Sequence, residues 1–431
     1  MRTLLRTGVV AFALLALTAA PSADARGGVP DEAAVTPIAH ASAKARKAIS
    51  PTQLRSGLAK LFRRVGKSGA LVQDAATGGV LFARKAARPR ILASNTKLFT
   101  TATALGRFRP EGRLDTSAWS VDDISDGVSQ GLYLRGGGDP TLSTAGLDKL
   151  ADRVRAAGVI SVVGPLRYDD SFLDRQTGIP ETGITSERVG TLSGLTIDSG
   201  SPSDPAKVAA QRFADALRKD GVSMGSSVTP GLVVPGFVRV AEYDSPTMAD
   251  LVQDTNVPSN NFFAEMLLKD LGAQFGGSGS TAGGIEVVKQ FAAQQGGIFT
   301  GENGSGLTRR NKASPASVVK LLDSMLDVGR NTPPDAQAEQ ALLRDAWVNS
   351  LAVAGRTGTL ARRMRGTAAQ RRCHAKTGTL NRVSALSGYC FRGGNDSDHA
   401  VIFSLLMNKV DVNRAHLVQD RMAALIARYS R

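Results

Sequence analysis

The stretch ILASNTKLFTTATALG, Ile91 to Gly106, decides how the rest of the chain is read. Ser94 and Lys97 stand three apart at the front of a predicted helix, so they share one face, a turn apart. The run that follows is apolar and threonine-rich. A helix of that composition sinks into a core, and burial favours the neutral form of a lysine. Serine is a poor nucleophile until something takes its proton. A lysine whose pKa is lowered by burial or by a neighbouring positive charge can take it. The helix start also points backbone N–H groups at any oxyanion formed there. Ser94 and Lys97 therefore read as nucleophile and base.

The more familiar base is histidine. The chain has four, and His40 falls in an N-terminal lead-in without periodicity. So few histidines argue against a Ser–His–Asp triad, although His374, His399 and His416 stay open at this level. A second S-x-x-K pair, Ser317 to Lys320, fits a capped helix with a solvated lysine.

Two further patterns separate the pairs. S-x-N occurs once, at Ser259-Asn260-Asn261, and K-T-G once, at Lys376-Thr377-Gly378. Read alone, Ser259 and Asn261 could cap the helix after Pro258, and Lys376 could be an ordinary strand lysine. Together the three patterns match, in order, the set found in penicillin-binding proteins and class A β-lactamases. Ser94 precedes the other two, whereas Ser317 lies between them. RTGTL at Arg356–Leu360 nearly repeats KTGTL at Lys376–Leu380. Lys376 is taken as functional because its segment is the better strand; Arg356 is assigned to a supporting strand or turn. Lys376 is expected at the cleft edge, contributing little to packing.

With these segments in view, the sequence resembles the D-alanyl-D-alanine carboxypeptidase/endopeptidase family, the low-molecular-mass class C penicillin-binding proteins or S13 peptidases. Also similar are GGGDPTL at Gly136–Leu142, PSNNFFAEMLLK around Ser259, NGSGLTRRN at Asn303–Asn311 and AKTGTLNRVSALSGY. The resemblance implies acyl transfer without metal or other cofactor. Ser94 would attack the carbonyl between two D-alanines and Lys97 would take its proton. Ser259, helped by Lys376, would protonate the leaving amine, and Asn261 would hold the substrate amide and Lys97. Thr377 and Thr379 would bind the terminal carboxylate, and Gly378 would let substrate approach the strand. Peptidoglycan stem peptides would be the substrates and β-lactams covalent inhibitors. Two departures stand out. Asn303 occupies a position often filled by Asp, and the region 180–189, where some members place an acidic residue against the stem peptide, offers only Glu181 and Glu187. A β-lactamase of the same fold and a non-catalytic envelope-binding protein are the alternatives. The long separation of Ser94 from Ser259 argues against the first, and the intact motifs against the second.

The implied fold is α/β: a serine β-lactamase/transpeptidase-like domain, an antiparallel sheet with helices, holding an inserted mainly-β module. Residues 1–25 read as a signal peptide: Arg2 and Arg6, an apolar run from Val9 to Ala20, and Ala23-Asp24-Ala25 as the cleavage site. A retained anchor is the alternative. Residues 26–110 and 245–431 are assigned to the main domain and 111–244 to the insert. Export places the protein outside the cytoplasm, in periplasm or cell wall. The formal charge is +15, or +14 once Arg2, Arg6 and Asp24 are removed. In an exported protein such a charge suits anionic envelope polymers or a membrane surface, or serves solubility alone. Aromatic residues are only 5% of the chain, which speaks against nucleic acid as a stacked partner.

Cys373 and Cys390 lie at equal distances from a polar turn at Asn381-Arg382, so a hairpin centred there sets them opposite each other. Export permits a disulfide between them; two buried thiols are the alternative.

Overall fold

The computed structural model describes residues 48–63, 65–326, 337–392 and 400–429. The expected signal peptide, the lead-in with His40, and His399 lie outside these residues.

A six-stranded sheet draws its strands from both ends of the described chain. Its order is Ala352–Val353, Cys373–Leu380, Val383–Phe391, Ala400–Asn408, Lys67–Asp74, Val80–Arg84, and every neighbouring pair is antiparallel. The three central strands, Val383–Phe391, Ala400–Asn408 and most of Lys67–Asp74, are buried on both faces. The run AVIFSLLM of Ala400–Asn408 shows little alternation for that reason. The stretch GALVQDAATGGVLFARKA, two alternating runs around Thr77-Gly78-Gly79, predicts a hairpin, and the Lys67–Asp74 and Val80–Arg84 strands form it, with Gly78 at φ 68° in its turn.

One face of the sheet is covered by two helices from opposite ends of the chain, Pro51–Phe62 and Val412–Tyr429. The sequence pattern predicts a short amphipathic helix from Leu58 to Val65; the helix instead begins at Pro51, because Ser50 and Gln53 form a capping box ahead of it. Leu54, Leu58 and Phe62, at helical spacing, are fully buried against Met422 and Ile426 of the second. The other face packs on the helix Pro315–Leu326 and the turn Ala93–Asn95, and the helix Thr96–Phe108 that follows this turn is enclosed by the helices Met248–Asn256, Asn261–Phe275, Thr281–Gln294 and Pro315–Leu326.

A five-stranded sheet lies within residues 115–244, ordered Val238–Asp244, Asp115–Ser120, Leu132–Gly136, Leu166–Asp169, Val228–Pro230. The first two pairings are antiparallel and the last two parallel. Two helices pack on it around a separate apolar cluster. The stretch DPAKVAAQRFADALRKDG predicts a helix with Asp204 as its N-cap, and Pro205–Lys219 is that helix. The sequence reading named no helix at Thr144–Ala156, which Ser143 caps.

The Cys373–Leu380 and Val383–Phe391 strands turn at Asn381-Arg382, with Arg382 at φ 59°. Cys373 pairs in register with Cys390, and the two are joined by a disulfide.

Candidate active site

Ser94 sits in a single turn of 3₁₀ helix, Ala93–Asn95, that runs into the helix Thr96–Phe108. Ala93 adopts φ 48°, a left-handed conformation uncommon for a residue with a Cβ. That kink leaves Ser94 half-buried at the mouth of a helix whose next eleven residues, Asn95 to Leu105, are buried.

Lys97 is fully buried. Its Nζ donates to Asn261 Oδ1 at 2.8 Å, to the Ser305 carbonyl at 2.8 Å and, more loosely, to Ser94 Oγ at 3.4 Å. Three donors meet three acceptors, so the ammonium is satisfied without water. Burial pushes its pKa down to about 7, with nearby Glu265 pulling the other way. At neutral pH an appreciable fraction of Lys97 is therefore uncharged, and its lone pair then faces the serine hydroxyl.

Asn261 reaches Lys97 because another residue caps its helix. The side chain of Asn260 accepts the Phe263 N–H at 3.1 Å and is the N-cap of Asn261–Phe275. The capping role weighed for Ser259 and Asn261 thus belongs to the residue between them. Ser259 precedes the cap at φ 66°, half-buried.

The K-T-G segment lies within the strand Cys373–Leu380. Asn95 Nδ2 donates to the Lys376 carbonyl at 2.9 Å, tying the strand to the serine turn. A Cβ on Gly378 would stand 2.6 Å from the Leu92 carbonyl, 3.0 Å from Asn95 N and 3.1 Å from Ser94 N. The glycine is therefore required by the serine turn, whereas the sequence reading attributed it to room for substrate. Lys376 differs from expectation as well. It is fully buried, not an edge lysine of little packing value. Its pKa is held well below the usual lysine range by burial first and then by Lys97. Its Nζ donates to the Thr377 carbonyl at 3.2 Å.

Thr377 Oγ1 donates to Thr359 Oγ1 at 2.9 Å. Thr359 belongs to the second repeat, RTGTL. There Arg356 is exposed on a turn after the short strand Ala352–Val353, and Gly358–Leu360 forms a 3₁₀ turn. Thr359 N donates to the Val257 carbonyl at 3.2 Å, two residues before Ser259, so this repeat bridges the neighbourhoods of the two other motifs. Thr379 is exposed at the strand end, its Oγ1 3.5 Å from His416 Nε2. His374 lies against Phe391 with Nδ1 3.5 Å from the Val348 carbonyl. Among the described residues, Lys97 is the only one whose side-chain nitrogen bonds the Ser94 hydroxyl.

Two of the three supporting residues, Asn311 and Glu265, were given no role by the sequence reading, which singled out Asn303 alone. Asn311 donates to Thr96 Oγ1 and to both oxygens of Asn303, which fixes the NGSG loop against the serine helix. Asn303, in place of an Asp, accepts the Gly306 N–H at 3.0 Å. Glu265, fully buried, accepts the N–H groups of Gly304 and Ser305. Only Glu265 left a usable signal, standing four residues after Asn261 and hence on the same helical face. Glu181 is exposed on a 3₁₀ turn, and Glu187 is exposed beside a cavity lined by Ser186, Ser199 and Ser201.

Among the described residues no helix is long and apolar enough to cross a membrane. The family model described as D-Ala-D-Ala carboxypeptidase 3 (S13) matches residues 53–203 and 198–429. A D-alanyl-D-alanine carboxypeptidase of Actinomadura sp. (strain R39) is 30% identical over 84% of this chain and 81% of its own. The carboxypeptidase DacB of Mycolicibacterium smegmatis is 28% identical, covering 97% of this chain and 95% of its own. Penicillin binding protein 4 (dacB) from Haemophilus influenzae superposes with a TM-score of 0.69 at 18% identity, covering 85% of this chain and 97% of that one. The same protein is known in complex with a β-lactam.

Proposed function

The chain belongs to the D-Ala-D-Ala carboxypeptidase 3 (S13) family, and from that membership we propose that it cleaves peptidoglycan stem peptides through an acyl-enzyme on Ser94. The observation that carries this reading is Lys97: buried, bonded to both Ser94 and Asn261, and poised near neutrality.

In the proposed reaction, neutral Lys97 accepts the Ser94 proton as Oγ attacks the carbonyl between the two D-alanines. The N–H groups of Ser94 and Thr379 hold the oxyanion. Ser259 passes a proton to the departing amine, and Lys376 keeps that hydroxyl oriented. Thr377, Thr379 and Thr359 offer three hydroxyls to the terminal carboxylate. The exposed backbone at the end of the K-T-G strand pairs with the extended peptide. Water then releases the acyl group.

We further assign both carboxypeptidase and endopeptidase action to this site, with β-lactams acylating the same serine. Residues 111–244 act as an inserted module. The enzyme works outside the cytoplasm after export by residues 1–25. Its formal charge of +15 suits docking to anionic envelope polymers or a membrane surface.

Intact-mass spectrometry tests the core of this reading. Incubation with penicillin should add one inhibitor mass on Ser94, and purified muropeptides should lose a terminal D-alanine. Absence of both an adduct and D-alanine release sinks it.

A further inference from the structure

Glu265 stands one helical turn beyond Asn261, without contact to the cleft surface. Its Oε2 accepts the Gly304 N–H at 2.9 Å and its Oε1 the Ser305 N–H at 2.7 Å. Both oxygens are thus acceptors, the pattern a carboxylate offers and an amide does not. Ser305 is gripped at both ends of its backbone, since its carbonyl accepts Lys97 Nζ at 2.8 Å. A continuous path therefore runs from the carboxylate through one residue to the lysine, at full burial, where charges act strongly.

We propose that Glu265 is a positioning residue of the acylation reaction. Its carboxylate fixes the Ser305 carbonyl that aims Lys97, and its charge sets the pH above which Lys97 serves as base. The proposal rests on the acyl-enzyme reading of Ser94.

The surrounding charges define what Glu265 must balance. Lys97 faces it from the serine helix, and Lys376 approaches Lys97 from the K-T-G strand. On the following loop, Arg310 pairs with Glu302 and Arg309 donates to the Asn381 carbonyl. On its own helix, Lys269 is committed to Asp174 and Asp270 is buried one turn further on. Glu265 is the one acidic side chain acting on Lys97 in this set. Burial raises the Glu265 pKa, while its hydrogen bonds and Lys97 oppose that shift. Removing the negative charge removes what favours the ammonium, so the Lys97 pKa falls. The neutral base then persists at lower pH.

The test is the pH profile of acylation by a fluorescent penicillin, measured on the full chain beside its melting temperature. Glu265→Gln should move the acid limb of the profile down by roughly one to two pH units, and should lower the plateau because one N–H loses its acceptor. Glu265→Asp keeps the charge but cannot span both N–H groups. Its limb should stay within about half a pH unit of wild type, with the plateau at least tenfold lower. A limb that stays in place in Glu265→Gln, with only the plateau or the melting temperature reduced, makes Glu265 a packing residue and overturns the proposal. If Glu265→Gln does not fold, Glu265→Asp decides, and an unchanged plateau overturns it. Wild-type protein that forms no adduct on Ser94 would instead sink the acyl-enzyme reading, so the two failures are distinct.

Discussion

Asn261 Oδ1 lies 2.8 Å from Lys97 Nζ, joining helices that begin at Asn261 and Thr96. This contact separates the two S-x-x-K pairs. Lys97 is enclosed with the S-x-N asparagine, whereas Lys320 donates to the Gly296 carbonyl at 2.8 Å and is exposed. Ser317, for its part, is held by Ser314 and the Ile298 N–H. Ser94→Ala should abolish the penicillin adduct, and Ser317→Ala should leave it intact. An adduct that survives on the Ser94 variant would remove the assignment.

Acylation by wild-type enzyme should rise with pH through about 7, where Lys97 loses its proton. The sign follows from the role: a base works deprotonated, and burial lowers the pH at which that form appears. At pH 5 the rate should fall to roughly one hundredth of its plateau, two units below the transition. A flat profile between pH 5 and 8, with the fold intact, would show that Lys97 is not the base.

Lys376→Ala should slow acylation at least a hundredfold, the scale of losing a positioned catalytic group. Because Lys376 is fully buried, its melting temperature should also drop, which Lys376→Met limits by keeping the volume. Arg356→Ala, on an exposed turn, should change neither. Loss of acylation in Arg356→Ala at unchanged melting temperature, with Lys376→Met active, would put the third motif on the other repeat.

Gly378→Ala tests the close approach of strand and serine turn. The added methyl meets backbone atoms of Leu92, Ser94 and Asn95, which cannot swing aside as a side chain can. We expect about 1–3 kcal/mol of lost stability and acylation reduced beyond what that loss explains, because Ser94 itself must shift. Wild-type acylation in this variant would show that the turn is not held by the strand.

The Cys373–Cys390 bridge closes a loop of sequence separation 17. Opening it with the double serine variant should cost ~3 kcal/mol, read as a lower melting temperature with the acylation rate at 25 °C largely kept. Two alkylatable thiols in unreduced, denatured wild-type protein would contradict the bridge.

The motifs were legible because each is a local string whose chemistry demands particular residue types. The fold around them was legible in part. Alternating and apolar runs marked the hairpin at Thr77–Gly79 and the strands flanking Asn381-Arg382, since strand periodicity and turn residues are local signals. What escaped was set by tertiary contact. Nothing in the string LASNT announces that Ala93 turns left-handed. Lys376 reads as a surface residue until the serine helix is laid over it. Thr359 looked like part of a decoy, and its role appears only when Ala352–Val353 pairs beside the K-T-G strand. Asn311 works by bonding Thr96 and the Asn303 backbone and side chain, a partnership that leaves no spacing rule in the sequence, whereas Glu265 left only its spacing of four from Asn261.

Lys67–Asp74 pairs on one side with its neighbour in the chain, Val80–Arg84, and on the other with Ala400–Asn408. The second pairing has a consequence for biogenesis. A nascent chain that has not yet delivered residue 400 lacks the strand that carries the K-T-G hairpin onto the N-terminal hairpin. Closing that long interval is an entropic cost met late in folding. Ser94 and Lys97 are thus made early and stay unassembled until nearly the whole polypeptide is present. A fragment ending before Ala400 should neither fold cooperatively nor react with penicillin.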